Sequence, residues 1–233
     1  MFEQIVAPTV KELFIERIES SILSGELAVG DKLPSERELA EQMSISKTAV
    51  HSGIADLQRK GFLKVIPRVG IFVDDYAANG NMEVLESIMK NGNLTVKNIQ
   101  SMLEVRSAIE CIAIKNIIEE NNPETLERLN EIYEDILKIS EEHPGDYKKI
   151  AEAHYFFHHE ICVLSGNIII PLIMNGFKDT AIRMWTNSIR VLGVEESNSR
   201  ILTLLKYLKE NNLEKAQNHI RWICESSNEI VND

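Results

Sequence analysis

Residues 34–73, PSERELAEQMSISKTAVHSGIADLQRKGFLKVIPRVGIFV, decide the fold of this chain. Ser35 followed by Glu38 forms a capping box, in which a hydroxyl and a carboxylate satisfy free amides at a helix start. A second helix begins at Ser46 after a tight turn and continues to Gly61, because glycine commonly ends helices. Two helices across so short a turn predict a helix-turn-helix, whose second helix can enter the major groove of DNA.

The segment after the second helix predicts a β-hairpin. Apolar and polar residues alternate from Phe62 to Val73 around a turn at residues 67–70. A helix-turn-helix followed by such a hairpin is a winged helix-turn-helix. The sequence therefore predicts a DNA-binding unit at this end of the chain.

Motifs along nearly the whole chain resemble the GntR superfamily of bacterial transcription regulators. In the first third these motifs are Leu33-Pro34-Ser35-Glu36-Arg37-Glu38-Leu39-Ala40 and Arg68-Val69-Gly70-Ile71-Phe72-Val73. The remainder is similar to the all-helical, FadR-type effector domain of that superfamily. Its matching segments are residues 103–110, 154–158, 165–167 and 172–178. The resemblance implies a regulator whose helical domain binds a small-molecule effector.

The expected fold is mostly α. We assign residues 1–74 to the winged helix-turn-helix, 75–94 to a linker and linker helix, and 95–233 to an all-helical domain for effector binding and dimerisation. In the second part, helical periodicity is broken only at Gly, Pro and Asn positions. The predicted helices lie near 81–90, 95–120, 123–141, 146–165, 168–190, 196–211 and 213–231. They imply an antiparallel bundle that can hold a ligand between its helices.

A net charge of −11 at first argues against a nucleic-acid partner. Residues 1–74, however, carry nine Lys/Arg against eleven Asp/Glu, so most of the excess acid lies in the rest of the chain. Within 47–68 the balance reverses, and the basic residues there are Lys47, Arg59, Lys60, Lys64 and Arg68, against Asp56. A local basic surface suffices for phosphate contact, because screening limits charge effects to roughly 10 Å.

Composition also indicates a cellular setting. The chain contains no apolar run of membrane-spanning length, and its first residues lack the pattern of a signal peptide. Cys111, Cys162 and Cys224 are scattered and odd in number, which favours a reducing compartment and plain core packing. We therefore expect a cytoplasmic protein without a membrane partner.

Candidate DNA contacts come from the early residues of the recognition helix, the helix before it and the wing. They are Arg37, Ser46, Lys47, Thr48, His51 and Arg68. The alternative is that Lys47 and Arg37 only solvate a helix face. Relatives in the family commonly carry arginine where Lys47 and His51 stand, and Gly53 costs about 1 kcal/mol of helix propensity relative to Ala. These departures predict weaker or altered DNA binding.

Candidate effector contacts lie in the helical part of the chain. Arg106 stands among apolar residues, and a buried guanidinium requires an anionic partner. That partner is either an internal carboxylate, Glu104 or Glu110, or an effector carboxylate or phosphate. A further polar group lies around the FadR-like segment, at residues 175–185, and its alternative role is that of ordinary helix-surface and packing residues. The full candidate set is Arg106, His154, His158, Asn175 and Arg183.

The same domain holds a metal site in many members of the family. His154 and His158, four residues apart, suit two ligands on one helix face, and His219 is a third candidate. The resemblance, however, places His154 where the family has Asp, and Ile201 and Ile223 where it has His. The alternative is that both histidines line a polar cavity. We predict no metal or other cofactor.

The main prediction is a ligand-responsive repressor that binds double-stranded operator DNA as a homodimer, with an acyl-CoA or a small carboxylate as effector. A metal-dependent sensor or enzyme using His154, His158 and His219 is the alternative. A third possibility is a ligand-binding module whose DNA function has decayed. No catalytic residue is predicted, because the chain presents no nucleophile with its base, phosphate loop or carboxylate pair.

Overall fold

The computed structural model describes residues 7–90 and 95–232. The chain divides into two compact units, Met1–Asn93 and Leu94–Asp233. The described residues form twelve helices and one three-stranded sheet. The mostly α fold predicted from the sequence is thereby confirmed.

The first unit is a winged helix-turn-helix. Its elements are α1 (Val10–Leu23), β1 (Lys32–Leu33), α2 (Glu36–Met43), α3 (Lys47–Lys60), β2 (Leu63–Ile66), β3 (Gly70–Val73), α4 (Tyr76–Asn79) and α5 (Met82–Lys90). The capping box at Ser35 is present, with Glu38 bonded back to the Ser35 amide, and Gly61 ends α3 at φ 98°. Phe62, Leu57 and Val50 are buried in the core beneath the sheet and helices.

The wing is the hairpin of β2 and β3. Val65 pairs with Ile71, and Leu63 with Val73, in antiparallel register. Strand β1 adds a third strand, because Leu33 pairs with Ile71 on the opposite edge of β3. The sequence did not reveal β1, since two residues are too short for an alternating pattern.

The chain after the wing folds onto the first unit. Residues 74–81 lack hydrophobic periodicity, yet they include the short helix α4. Its capping residue Asp75 accepts hydrogen bonds from Ala77 and Ala78. The carbonyl oxygen of Asn79 passes 2.7 Å from the position that a Cβ on Gly61 would occupy, so this close approach needs glycine. The assignment of 75–94 to a linker stays a prediction.

The second unit is an antiparallel helical bundle. Its helices are α6 (Val96–Glu120), α7 (Pro123–Glu142), α8 (Tyr147–Leu164), α9 (Ile170–Gly176), α10 (Lys178–Leu192), α11 (Val194–Lys209) and α12 (Leu213–Asn232). Helix α8 packs against α6, α7, α9 and α10. It therefore lies at the centre, with Phe157 and Ile161 fully buried.

The single helix predicted over 168–190 is wrong, because two helices, α9 and α10, occupy this region. Phe177 is the C-cap residue of α9 and also the N-cap residue of α10, and its ring is buried. Asn175 and Gly176 have low helix propensity, which lets the chain turn there. Within residues 7–90 and 95–232, no helix is long and apolar enough to cross a membrane.

Candidate functional site

The start of helix α3 forms the exposed face of the helix-turn-helix. The Ser46 hydroxyl accepts a hydrogen bond from the Ala49 amide at 3.1 Å and so caps the helix. Lys47 and Thr48 follow directly and are exposed. Ser46 is thus a positioning residue for its two neighbours, which stand where a recognition helix meets base edges and phosphates.

Two further candidates contact carboxylates of α2. Arg37 Nε lies 2.9 Å from Glu41 Oε1, and the arginine side chain is 83% exposed. Such an exposed pair contributes roughly 0–1 kcal/mol, so Arg37 can leave it for a phosphate. His51 Nδ1 lies 2.9 Å from Glu36 Oε1, which ties α3 to the first turn of α2.

Arg68 stands at the tip of the wing in a strained backbone conformation. The Val69 amide donates to the Ile66 carbonyl at 3.0 Å, closing a turn in which Pro67 and Arg68 are the central residues. Arg68 has φ 64°, a left-handed value that costs a non-glycine residue about 1 kcal/mol. Glycine suits this position better, so an arginine in this conformation points to a use for its exposed side chain.

The basic surface is smaller than the sequence predicts. Arg59 pairs with Glu83 of α5, and Lys60 Nζ lies 2.7 Å from Glu19 Oε1 and 3.5 Å from Ser87 Oγ. These two cations hold α3 to α1 and α5. Of the five basic residues within 47–68, three are left for DNA: Lys47, Lys64 and Arg68. None of them has a carboxylate in ion-pair range among the described residues.

Gly53 has a packing role that its low helix propensity conceals. It is buried where α3 crosses α1, and a Cβ built on it would lie 2.4 Å from Cδ1 of Phe14. The departure from the family pattern at this position thus brings α1 and α3 close together. The expectation that Gly53 merely weakens α3 is therefore incomplete.

The second unit contains a buried charged cluster around Arg106. Arg106 Nε lies 2.5 Å from Glu110 Oε1, and Glu110 Oε2 lies 2.7 Å from His158 Nδ1. The indole of Trp185 stacks on two members of this group, 4.4 Å from the guanidinium carbon of Arg106 and 5.1 Å from the His158 ring. Of the two internal carboxylates proposed as partners, Glu110 is the one that binds Arg106.

The charges of this cluster balance. Burial alone would raise the pKa of Glu110, but Arg106 and His158 outweigh it and lower the pKa to about 2. Burial lowers the pKa of His158 despite the neighbouring carboxylate. At neutral pH Arg106 and Glu110 are thus charged, and neutral His158 donates its Nδ1 proton to Glu110.

His154 belongs to a separate polar chain. Its Nε2 lies 2.8 Å from Asn198 Oδ1, and Asn198 Nδ2 donates to Ser140 Oγ at 3.1 Å. Burial lowers the pKa of His154 to about 4, so the ring is neutral and donates to the amide. Nothing in the spacing of Ser140 or Asn198 along the chain indicated this contact.

A small cavity adjoins the charged cluster. Its walls are Met102, Leu103, Arg106, Met184, Trp185 and Ser227, together with Ala181 and Ser188. Its volume is about 10 Å³, roughly what one ordered water needs. Among the described residues no acceptor bonds Nη1 of Arg106, so this group has donors to offer a ligand.

The other candidate residues do not join this cavity. Asn175 accepts a hydrogen bond from the Tyr155 hydroxyl, and exposed Arg183 donates to Thr180. His219 Nε2 contacts the Arg200 carbonyl at 2.8 Å. Across residues 7–90 and 95–232, no three His, Cys, Asp or Glu side chains are placed to hold a metal ion. The metal-dependent alternative therefore has no support.

The buried histidines predict acid sensitivity. Unfolded His154 takes up a proton near pH 6.5, whereas the folded residue does so only near pH 4. The unfolded state thus binds more protons in this window, and stability falls as pH drops from about 6.5 to 4, by about 3 kcal/mol for this residue. His158 adds to the same trend. Urea unfolding followed by tryptophan fluorescence measures it, because Trp185 and Trp222 both lie in the second unit.

The control for this prediction is His154→Gln, which keeps an amide donor for Asn198. Its unfolding free energy should decline less steeply between pH 6.5 and 4. An unchanged slope would contradict the buried, neutral state of His154. Below about pH 4.5 both proteins should lose further stability, because unfolded Glu110 takes up a proton there while folded Glu110, with its pKa of about 2, stays ionised.

A winged helix-turn-helix with an exposed, capped recognition helix, followed by a helical bundle with a small cavity beside a buried ion pair, defines the class of two-unit DNA-binding regulators. Residues 11–73 match the family profile of the bacterial regulatory proteins of the gntR family, and residues 74–232 match the FadR C-terminal domain. The chain therefore belongs to the gntR family, with a FadR-type second domain.

Curated relatives agree with this membership. An uncharacterized HTH-type transcriptional regulator of Bacillus subtilis, YcbG, is 28% identical over 70% of this chain, which spans 64% of the relative's length. The Mycobacterium tuberculosis regulator Mce2R is 28% identical over 76% of this chain and 72% of its own. The fatty acid metabolism regulator protein of Shewanella oneidensis is 28% identical over 87% of this chain and 80% of its own.

Solved structures share the fold. The Listeria monocytogenes protein Lar superposes with a TM-score of 0.64 at 17% identity, covering 98% of this chain and 99% of its own. A GntR family member from Pseudomonas syringae gives a TM-score of 0.51 at 16% identity, over 95% of this chain and 84% of its own. At these identities the likeness concerns the fold alone.

Proposed function

We propose that this chain is a cytoplasmic, ligand-responsive repressor that binds a near-palindromic operator as a homodimer. The observation that carries the proposal is the pairing of an exposed, capped α3 with a strained arginine at the wing tip. A dimer would place two such DNA-binding units on half-sites about one helical turn of DNA apart. Effector binding in the second unit would favour a state in which the two DNA-binding units no longer match the half-sites.

Each candidate DNA contact has a proposed role. Lys47 and Thr48 contact base edges or phosphates, and Ser46 and His51 hold α3 in position. Arg37 exchanges Glu41 for a phosphate. Arg68 reaches a minor groove or the backbone, which offsets the strain of its conformation.

For the effector, we propose a fatty acyl-CoA rather than a small carboxylate. Arg106 is already neutralised by Glu110, so a second carboxylate would meet a buried anion as well as a cation. At about 4 Å and an effective dielectric of 20, that repulsion is roughly 4 kcal/mol and cancels the attraction of Arg106. An uncharged carbonyl escapes this repulsion and can still accept from Nη1.

The cavity must widen to admit an acyl chain. Met102 and Met184 line it, and unbranched methionine side chains rearrange at low cost. The fatty acid metabolism regulator named among the relatives supports the same class of effector. Asn175 and Arg183, which are exposed, would contact only a part of the effector that lies outside the cavity.

A fluorescence-anisotropy titration with the chain's own upstream DNA tests the DNA-binding part. Lys47→Ala and Arg68→Gly are each expected to weaken binding about tenfold and to lower the salt slope by about 1. Arg68→Gly also relieves backbone strain, so its lost affinity cannot result from unfolding. The matched control is Lys206→Ala, an exposed lysine of α11, which should change binding less than twofold. The proposal would be refuted if wild type bound a scrambled duplex as tightly as the upstream DNA and if the variants bound both with the same affinity as wild type.

The same titration with added palmitoyl-CoA, below its micellar concentration, tests the effector part. We expect the apparent Kd for DNA to rise at least about tenfold, while free CoA and succinate leave it unchanged. A response to succinate without one to palmitoyl-CoA would reverse the proposed effector class and leave the DNA-binding result standing.

A further inference from the structure

An uncharged stretch interrupts the highly charged surface of the second unit. Residues 161–177 contain no Asp, Glu, Lys or Arg, in a chain where 26% of residues are charged. The stretch spans the end of α8, the connecting loop and helix α9. Four large apolar side chains from it are exposed: Ile168 (81%), Leu172 (61%), Ile169 (54%) and Val163 (45%).

These four exposed side chains lie within ten residues of one another along the chain, and together they are here called the α8–α9 surface. Ile168 and Leu172 are four residues apart across the start of α9, and the Leu172 amide donates to the Ile169 carbonyl. The Gly166 amide donates to the carbonyl of Val163, which brings the end of α8 to the same loop. Large apolar side chains that are exposed close together in this way point to an interaction site.

The loop that carries the surface is held in place from beneath. Asn116 of α6 donates to the Ser165 carbonyl at 3.2 Å, and Ser165 Oγ accepts from the Asn167 amide. Asn167 Oδ1 in turn accepts from the amides of Ile169 and Ile170. Ile168 is therefore presented by a fixed backbone, which reduces the ordering cost of an association.

We propose that the α8–α9 surface is the contact between the second units of two copies of this chain. Most of the excess negative charge lies in the second unit, so two copies repel each other over most of its surface. Within the uncharged stretch neither copy contributes an ionised side chain to such a contact. A two-fold contact places the same patch on both partners, and an apolar patch is complementary to itself.

Charge also argues against a basic protein or a membrane as the partner of the α8–α9 surface. A basic partner would be drawn to the acidic surface elsewhere on the unit. A cytoplasmic membrane surface is negative and would repel a chain of net charge −11. The proposal rests on the homodimer of the proposed function, and it adds where the second units meet.

Sedimentation equilibrium of the full chain without DNA tests this inference. Wild type should be a dimer, and Ile168→Glu and Leu172→Glu should each raise the dimer dissociation constant at least about 100-fold, since each would bury an unpaired carboxylate. Leu202→Glu on α11, at a similarly exposed residue, is the control and should leave the constant within threefold. Circular dichroism confirms that the variants fold.

Two results would overturn the inference in distinguishable ways. A wild-type dimer that both variants leave intact would exclude the α8–α9 surface and retain the dimeric regulator. A monomer at every concentration would exclude both the surface and the homodimer. In that case the DNA titration still decides whether the chain binds an operator, and flotation with anionic vesicles would show whether the surface binds lipid instead.

Discussion

Glu110→Gln is expected to lower the free energy of unfolding of the second unit by about 3–5 kcal/mol. The glutamate is fully buried and binds both Arg106 and His158. Its replacement leaves a guanidinium without an anion in a site that water barely reaches. Urea unfolding followed by tryptophan fluorescence measures the loss, and Trp185, which stacks on the cluster, reports on it directly.

The matched control is Glu104→Gln on the same helix. Glu104 is exposed, so its neutralisation should change the unfolding free energy by less than about 0.5 kcal/mol. A third variant separates charge compensation from packing. Arg106→Met combined with Glu110→Leu removes both charges and should be close to neutral. If Glu110→Gln were as stable as wild type, the guanidinium would not depend on this carboxylate.

The same variant tests why a carboxylate effector is disfavoured. With Glu110 neutral, Arg106 lacks an anion, so succinate should stabilise Glu110→Gln more than wild type. Equal stabilisation of the two proteins would mean that succinate binds elsewhere. This outcome would remove the argument from charge balance without affecting the DNA-binding unit.

Local features of the chain were predictable because their causes are local. The capping box at Ser35, the stop at Gly61 and the hairpin after Phe62 depend on neighbours within a few residues. Strand β1 was not predictable, because its only evidence is pairing with β3, some forty positions away. The division of 168–190 at Phe177 likewise depends on where a buried ring must point.

The candidate site shows the same limit. A partner for Arg106 on its own helix was foreseeable, because a glutamate four residues later shares its helix face. The roles of Asn198, Ser140 and Trp185 were not, since each comes from another helix. The ion pairs of Arg59 and Lys60 also depend on distant residues, and they remove two cations from the surface that local charge counting assigned to DNA.

Gly53→Ala is expected to destabilise the first unit by about 1–3 kcal/mol, opposite in sign to the propensity effect. Alanine would gain about 1 kcal/mol in an unhindered helix. Here its Cβ would overlap the Phe14 ring, so α1 and α3 must separate or the ring must leave its rotamer. Amide hydrogen exchange of α1 and α3 measures the change, because both tryptophans lie in the other unit.

Two companion variants identify the cause. Ser52→Ala, one position earlier in α3, adds no Cβ that is not already there and should change stability by less than about 0.5 kcal/mol. Phe14→Leu removes the ring, so the cost of Gly53→Ala should shrink in that background, and the two substitutions should be non-additive. Full additivity would show that the α1–α3 contact does not select glycine. In that case the only effect of Gly53 would be its low helix propensity. Operator binding by Gly53→Ala should then equal or exceed that of wild type.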